Sequence, residues 1–241
     1  MPAPQITPAD VRKTTNKSQA GMDDIGALSS SGCAPGPNLD AADSHGVFRL
    51  PWAMGGSPSS NRSPPAEFHK DGSYHVNGKQ LSSHGMVERY AAMIDQYPIW
   101  SIEDGLGESD HDGWQELTAR LGDHVQLVGD DNFCTNPAII TTAIADGIGN
   151  AALIKLNQIG TVSETLEAMA ICHRAGYAQM VSHRSGETPD SFIADLAVGT
   201  GCGQLKTGAP ARGERVAKYN RLIEISAQHV DLPYGLADAG R

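Results

Sequence analysis

The stretch VQLVGDDNFCTNPAIITTAIADGIGNAALIKLNQIGTVSETLEAMAICHRAG (residues 125–176) decides the fold. Two short runs within it, Val125–Asp130 and Ala152–Leu156, are rich in apolar and β-branched residues and predict buried strands. Each run is followed by a longer helical pattern, Pro137–Asp146 after the first and Val162–Ala175 after the second. Strands that alternate with helices in this way predict an α/β architecture with a parallel sheet, either a barrel or a doubly wound sheet.

Local signals mark the start of both helices. Asn136 is a good N-cap, and Pro137 takes the first helical position, where its missing N–H costs nothing. Thr161 and Glu164 form a capping-box pattern in front of the second helix. That helix is expected to bury one apolar face against the sheet, formed by Leu166, Met169 and Ala170.

The same alternation continues on both sides of this stretch, so that the chain contains about five to six βα units. Further strands are predicted at Pro98–Glu103, Gln179–His183 and Gly203–Lys206. Further helices are predicted at Met86–Gln96, Gly113–Leu121, Ser191–Ala197 and Arg212–Ala227.

The composition changes near residue 65. Residues 1–65 are rich in Ser, Gly, Pro, Asn and Asp, and they show little apolar periodicity. We expect them to be a poorly ordered, low-complexity segment with at most a short extended piece at Gly46–Trp52. We predict that the regular domain occupies residues 66–230 and that residues 231–241 form a C-terminal tail.

Charge and cysteine content exclude several classes of protein. A formal net charge of −10 argues against a nucleic-acid-binding surface. No apolar run approaches the length of a membrane span, and the N-terminus lacks an apolar signal region. We therefore expect a soluble protein of a reducing compartment, the cytoplasm. The cysteines form no CxxC pair and are predicted to be buried free thiols: Cys33, Cys134, Cys172 and Cys202.

Every predicted strand from residue 98 onward ends in a charged or polar side chain. In parallel α/β sheets these ends lie on one rim, where active sites form. A single charged residue in this place is usually the first solvated position of a loop, but five such strand ends in succession indicate a site. In chain order the ends are Glu103, Asp130, Lys155, His183-Arg184-Ser185 and Lys206.

The residue types at these ends suggest their chemistry. Glu103 and Asp130 are each followed by a second acid, and carboxylate oxygens of this kind suit Mg²⁺. Lys155 continues an apolar strand, where a lysine is costly to bury unless it is paired or functional, so it is a candidate base. The alternative, that its stem packs while its ammonium reaches water, stays open. Arg184 and Ser185 offer donors suited to a phosphate.

Seven strings, in this order, resemble the C-terminal barrel of enolase, phosphopyruvate hydratase, over about Ala66 to Ala227. They are SIEDGL (101–106), QLVGDDNF (126–133), LIKLNQIGTVSETLEA (153–168), SHRSGETPD (182–190), IADLAVGT (193–200), GQLKTG (203–208) and RVAKYNRL (215–222). The resemblance implies a partial (β/α)8 TIM-type barrel of the enolase superfamily. It also implies a lyase of glycolysis that dehydrates 2-phosphoglycerate to phosphoenolpyruvate with Mg²⁺.

The resemblance further implies individual roles. Glu103 and Asp130 match metal-binding carboxylates. Lys155 matches the base that removes the α-proton, and Lys206 matches the lysine that binds the substrate carboxylate; both would be catalytic. Enolases usually pair as dimers, so a homodimer is a possible assembly. The substrate-binding positions implied are Asp130, Lys155, His183, Arg184, Ser185 and Lys206.

The chain departs from the enolase pattern on its N-terminal side. Arg62 stands where the third metal carboxylate would fall, and the glutamate that acts as general acid in a Gly-Asp-Glu-Gly-Gly context has no counterpart. Residues 1–65 also resemble neither the capping domain nor the first barrel strands, which predicts an incomplete barrel that is truncated or rearranged. Two alternatives therefore stay open. One is a non-catalytic remnant that acts as an anion- or protein-binding module, and the other is a general sugar-phosphate barrel enzyme with an acid supplied by its loops.

Overall fold

The computed structural model describes residues 47–48 and 69–232, apart from residues 71, 77, 78 and 98. The strands are β1 (Val47–Phe48), β2 (His69–Lys70), β3 (Ser73–Val76), β4 (Lys79–Leu81), β5 (Ser101–Glu103), β6 (Gln126–Gly129), β7 (Ala151–Ile154), β8 (Ala178–Ser182) and β9 (Leu205–Lys206). The helices are α1 (Ser83–Gln96), α2 (His111–Leu121), α3 (Pro137–Ala145), α4 (Leu156–Ile159), α5 (Val162–Ala175), α6 (Phe192–Thr200) and α7 (Gly213–Gln228).

Packing divides the chain into two compact units, whose described parts are residues 47–178 and 179–232. Of the predicted low-complexity segment 1–65, the structure describes strand β1 alone, inside the extended piece expected there. The rest of that prediction, and all but the first two residues of the expected tail, lie outside the described residues.

The first unit is built on a parallel sheet in the order β1-β5-β6-β7. Its interior strands are buried on both faces, as expected of a parallel sheet covered by helices. Helices α2, α3 and α5 each follow one of these strands, and α5 packs against α3. The alternation predicted from the sequence is therefore confirmed in this unit.

An antiparallel sheet of β2, β3 and β4 precedes the parallel strands and was not predicted. Its strands have two to four residues, too few for a period-2 pattern to stand out. Tyr74 fixes it to the rest of the unit: the side chain is buried, stacks on His69, and donates a hydrogen bond of 2.5 Å to Asp110. Asp110 is the N-cap of α2 and accepts from the backbone of Gly113 as well.

The helix starts predicted from the sequence are confirmed, but the predicted buried face of α5 is wrong. Asn136 caps α3 with Pro137 in its first turn, and the Thr161 hydroxyl accepts a hydrogen bond from the backbone N–H of Glu164 at the start of α5. Leu166 and Ala170 are exposed, whereas Met169 is buried as predicted. The buried face of α5 is rotated from the predicted one and comprises Thr165, Ala168, Met169 and Cys172.

The second unit begins within β8, which pairs in parallel with β9 through Val181–Leu205 and Ser182–Lys206. Helix α6 packs against α7, and Arg221 of α7 binds the Asp195 carboxylate of α6 through both Nε and Nη2. None of the helices in the described part of the chain is long and apolar enough to cross a membrane.

Candidate active site

The strand register of the first unit places three of the predicted site residues on one face of the sheet. Glu103 pairs with Val128, and Val128 pairs with Ala151. Side chains alternate along a strand, so Asp130, two residues after Val128, and Lys155, four after Ala151, follow the same side as Glu103. At the carboxyl ends of these strands Lys155 contacts Asp130, and Glu103 ends the strand next to that of Asp130.

The ammonium of Lys155 lies 2.5 Å from Oδ2 of Asp130. The prediction that Lys155 lies inside a strand is wrong, because β7 ends at Ile154 and Lys155 is the extended residue before α4. Its place at the strand end allows the side chain to reach across to the neighbouring loop. The side chain retains 12% of its exposure and that of Asp130 only 1%, so the prediction of a paired lysine is confirmed in preference to one whose ammonium reaches water.

A loop between β6 and α3 holds the backbone of Lys155. The hydroxyl of Thr135, which is fully buried, accepts a 2.9 Å hydrogen bond from the Lys155 N–H. Thr135 has φ +53° and Cys134 has φ +47°, a left-handed conformation that is unusual for a β-branched residue such as threonine. This strained turn therefore places the Thr135 hydroxyl where it accepts from the N–H of Lys155, which lies just beyond the end of β7.

Asp104 joins the two carboxylate-bearing loops, and sequence reasoning noted it only as a second acid. Its Oδ1 accepts from the backbone N–H of Asp130 at 2.8 Å, and its Oδ2 accepts from Asp131 at 3.2 Å. The pKa of the Asp104 carboxyl is raised to about 7, chiefly by burial and then by the charges of Asp130 and Glu103, while the two N–H donors oppose the rise. Three acidic side chains, Glu103, Asp104 and Asp130, are therefore gathered at the ends of β5 and β6, where they are shielded from water.

Glu103 and Asp130 offer the hard oxygen donors that Mg²⁺ takes, and one or two protein carboxylates are its usual complement beside water and substrate oxygens. Asp104 lies beside them, and each of its oxygens accepts one backbone N–H group. No group of three or more Asp, Glu, His or Cys side chains within the described ranges is arranged to hold a metal ion. The two carboxylates thus fit part of a Mg²⁺ shell, and Arg62 lies outside the described residues.

The second unit brings together the other four predicted residues. Lys206 is the register partner of Ser182, and its carbonyl oxygen accepts a 2.9 Å hydrogen bond from the backbone N–H of His183. His183 and Lys206 are buried, Arg184 is partly buried, and Ser185 is exposed. The run 183–185 therefore starts in the core beside Lys206 and ends at the surface.

Two buried cations of α7 contact the segment 183–188, and neither was predicted to have a role: Arg215 binds the run 183–185, and Lys218 binds the residues just after it. Arg215 donates from Nη1 to the Arg184 carbonyl at 2.9 Å and from Nη2 to the Ser185 carbonyl at 3.2 Å, and its Nη1 also lies 2.7 Å from Nδ1 of His183. Lys218 is fully buried, forms an ion pair with Glu187, and donates to the Thr188 carbonyl at 2.6 Å. Their spacing of three residues was the available signal, but it is equally typical of a solvated helix face.

None of the three cysteines in the described residues is among the predicted site residues. Cys134, Cys172 and Cys202 are free thiols, as predicted. Cys172 is buried, but Cys134 and Cys202 are partly exposed, so that the prediction of burial is wrong for these two. Cys33 lies outside the described residues.

A family model described as enolase, C-terminal TIM barrel domain, matches residues 63–233. The enolase of Acidothermus cellulolyticus is 56% identical over 162 residues, which cover 67% of this chain and 38% of that protein. The enolase of Rubrobacter xylanophilus is 52% identical over 185 residues, which cover 76% of this chain and 43% of that protein.

The chain belongs to the enolase C-terminal TIM barrel family. The fold prediction is confirmed: the architecture is α/β and represents part of a (β/α)8 barrel, with five parallel strands, β5 to β9, each followed by a helix in the described residues. The chain spans about two fifths of the length of the two enolases that it matches.

Proposed function

We propose that this chain supplies the metal-binding carboxylates, the base and the phosphate-binding loop for a Mg²⁺-dependent dehydration of 2-phosphoglycerate to phosphoenolpyruvate, a step of glycolysis. The observation that carries the proposal is the contact between Lys155 and Asp130 on the face that Glu103 shares. An amine held against a carboxylate next to a second carboxylate combines a candidate base with a candidate cation site. The 56% and 52% identity to enolases supports the assignment of the substrate.

In this proposal the residues divide the tasks of metal binding, proton removal and substrate binding. Glu103 and Asp130 would hold Mg²⁺, which when bound would neutralise the charge that develops on the substrate carboxylate. Lys155 in its neutral form would take the proton from carbon 2, with Asp130 fixing the direction of its amine. Lys206 would donate to the substrate carboxylate from its buried position. Arg184 and Ser185 would bind the phosphate, with His183 beside them.

The departure of the hydroxyl group needs an acid. The general-acid glutamate of enolases has no counterpart in this sequence, and no other residue of the chain is assigned to that step. Proton removal and anion binding are therefore the parts of the reaction that the described residues support.

Turnover is tested with the full chain, Mg²⁺ and 2-phosphoglycerate, by following the ultraviolet absorbance of phosphoenolpyruvate. The proposal expects product above the uncatalysed background and its loss in Lys155→Met and in Lys206→Met. Glu116→Gln, a change on helix α2 at a carboxylate that pairs with His84, is the control and should keep the wild-type rate. Wild-type chain that forms no product would sink the catalytic proposal.

One observation favours a second candidate, a non-catalytic module that binds anions or proteins. The described residues include two candidate metal carboxylates but no cluster of three, and Arg62 stands where the resemblance would place a third acid. Such a module would bind inorganic phosphate weakly through Arg184 and Ser185 but show no tight Mg²⁺ binding. Calorimetric titration with each ion separates the two candidates, since the lyase requires both.

We also propose the cytoplasm as the place of action and a homodimer as the assembly. The family's glycolytic role supports the first, and the usual pairing of enolases supports the second. Sedimentation equilibrium of the full chain tests the dimer, and a mass equal to one chain at micromolar concentration would contradict it.

A further inference from the structure

The run His183-Arg184-Ser185, here called the anion loop, follows the end of β8 and lies outside the helices and strands. Helix α7 holds it through Arg215, whose guanidinium donates to the carbonyl oxygens of Arg184 and Ser185. Arg215 is itself 8% exposed, and the cost of burying its charge is offset only if it keeps these partners. Arg215 therefore helps to hold the loop, together with the hydrogen bonds from the His183 N–H to the Lys206 carbonyl and from the Arg184 N–H to Glu187.

The third contact of Arg215 determines which ring nitrogen of His183 carries the proton. The Nη1 atom of Arg215 lies 2.7 Å from Nδ1 of the imidazole, and His183 is also buried. A guanidinium has five donors and no acceptor, so Nδ1 must be the acceptor in this contact. An imidazole whose Nδ1 accepts carries its proton on Nε2 and is neutral.

Gly208 packs closely against the His183 ring and the Arg215 side chain and keeps the two in contact. A Cβ atom at this position would lie 3.0 Å from Cε1 of His183 and 3.2 Å from Cδ of Arg215. The residue also has φ +80°, which favours glycine. The backbone therefore closes over the contact on one side, and the ring has little freedom to turn away from Arg215.

We propose that Arg215 is a positioning residue that fixes His183 as the neutral Nε2–H tautomer, so that the anion loop presents an imidazole N–H donor to a bound phosphate-type anion. The proposal deepens the proposed function, because that function assigns the loop to the substrate phosphate. Arg215 acts through His183 and the loop carbonyls. The imidazole would supply hydrogen bonding without adding a positive charge.

The tautomer is measured directly by two-dimensional ¹H–¹⁵N nuclear magnetic resonance of the full chain labelled at its histidine ring nitrogens. The pH is set roughly two units above the reference imidazole pKa, so that neutral rings dominate. The chain has nine histidines, and the signal of His183 is identified by its loss in His183→Gln. The expected result is the Nε2–H pattern for His183 in the wild-type chain.

Arg215→Met should shift His183 toward a mixture with the Nδ1–H tautomer and weaken the binding of inorganic phosphate by about tenfold, the effect of losing one charged hydrogen-bond partner. Lys218→Met is the matched control, because Lys218 is a buried cation of the same helix that contacts Glu187 and Thr188. It removes a similar charge and should leave the His183 tautomer unchanged.

Three results would overturn the proposal: an Nδ1–H pattern in the wild-type chain, an unchanged tautomer in Arg215→Met, or an equal shift in Lys218→Met. Should Arg215→Met fail to fold, the wild-type spectrum still decides the tautomer. The measurement needs neither Mg²⁺ nor 2-phosphoglycerate. A failed turnover assay would therefore reject the lyase and leave the tautomer result standing.

Discussion

The ammonium of Lys155 and the carboxylate of Asp130 form an ion pair of 2.5 Å at the ends of two neighbouring parallel strands. Both side chains are largely removed from water, so each compensates the charge of the other. The pair is the point where the stability of the first unit and the proposed chemistry depend on the same atoms.

Replacing Lys155 by Met should lower the free energy of unfolding by ~3 kcal/mol, because Asp130 is then left as an uncompensated buried carboxylate. Urea denaturation of wild-type and variant chains measures the difference. The double variant Lys155→Met with Asp130→Asn removes both charges and should recover part of the loss. A double variant as unstable as the single one would show that the pair is not the cause.

Mg²⁺ should stabilise the wild-type chain through Glu103 and Asp130. At a free concentration about one hundred times the dissociation constant, binding to the folded state contributes ~2.7 kcal/mol. Thermal unfolding with and without Mg²⁺ measures the rise in Tm. The rise should vanish in Glu103→Gln and persist in Glu108→Gln, which neutralises an exposed acid on the loop after β5. Equal rises in the two variants would contradict the assignment of Glu103.

Gly129→Ala should lower the free energy of unfolding by about 1–3 kcal/mol through overpacking. The new Cβ would lie 2.6 Å from Cδ2 of Phe133, a buried ring under the loop that follows β6. Chemical denaturation measures the loss. Gly199→Ala on helix α6 is the control: nothing lies within 4 Å of its new Cβ, so it should be neutral or slightly stabilising. An undiminished stability of Gly129→Ala would refute the packing argument.

Asp195 should make the second unit sensitive to acid. Its hydrogen bonds to Arg221 hold the pKa of its carboxyl below the ordinary value. A lowered folded-state pKa contributes stability above the unfolded-state pKa, and this contribution is lost as the pH falls through the folded-state pKa. The wild-type chain should therefore be more stable than Asp195→Asn at neutral pH, by a small amount that salt weakens.

The measurement for Asp195 is a series of denaturation curves between neutral pH and a pH below the folded-state pKa. The difference between the two chains should shrink steadily toward the acidic end. A difference that stays constant across the series would mean that the Arg221 contact does not stabilise the ionised form selectively.

Helix starts could be predicted from the sequence because they depend on neighbours within one turn. The limits of α5 agree with the prediction residue by residue, since Thr161 caps its first turn and Gly176 ends it in a left-handed conformation. Which face of α5 is buried could not be read in the same way. The face includes Thr165, whose hydroxyl is satisfied by the carbonyl of Thr161 and so tolerates burial.

Part of the candidate site was equally accessible to sequence reasoning. Glu103, Asp130 and Lys155 follow parallel strands, and parallel register alone brings such ends together on one face. The β2–β4 sheet was missed because Tyr74 is buried by a contact with Asp110, 36 residues away, which leaves no local pattern.

The amino-acid sequence by itself determined the family, the alternation of strands and helices, and the residue types at the strand ends, because these depend on local periodicity and on motifs in a fixed order. Tertiary structure alone decided which of those groups form hydrogen bonds or ion pairs, and with which partners. The pairing of Lys155 with Asp130 and the hold of Arg215 on His183 join residues 25 and 32 positions apart. Hydrogen bonds over such separations depend on distance and burial, which spacing along the chain does not encode.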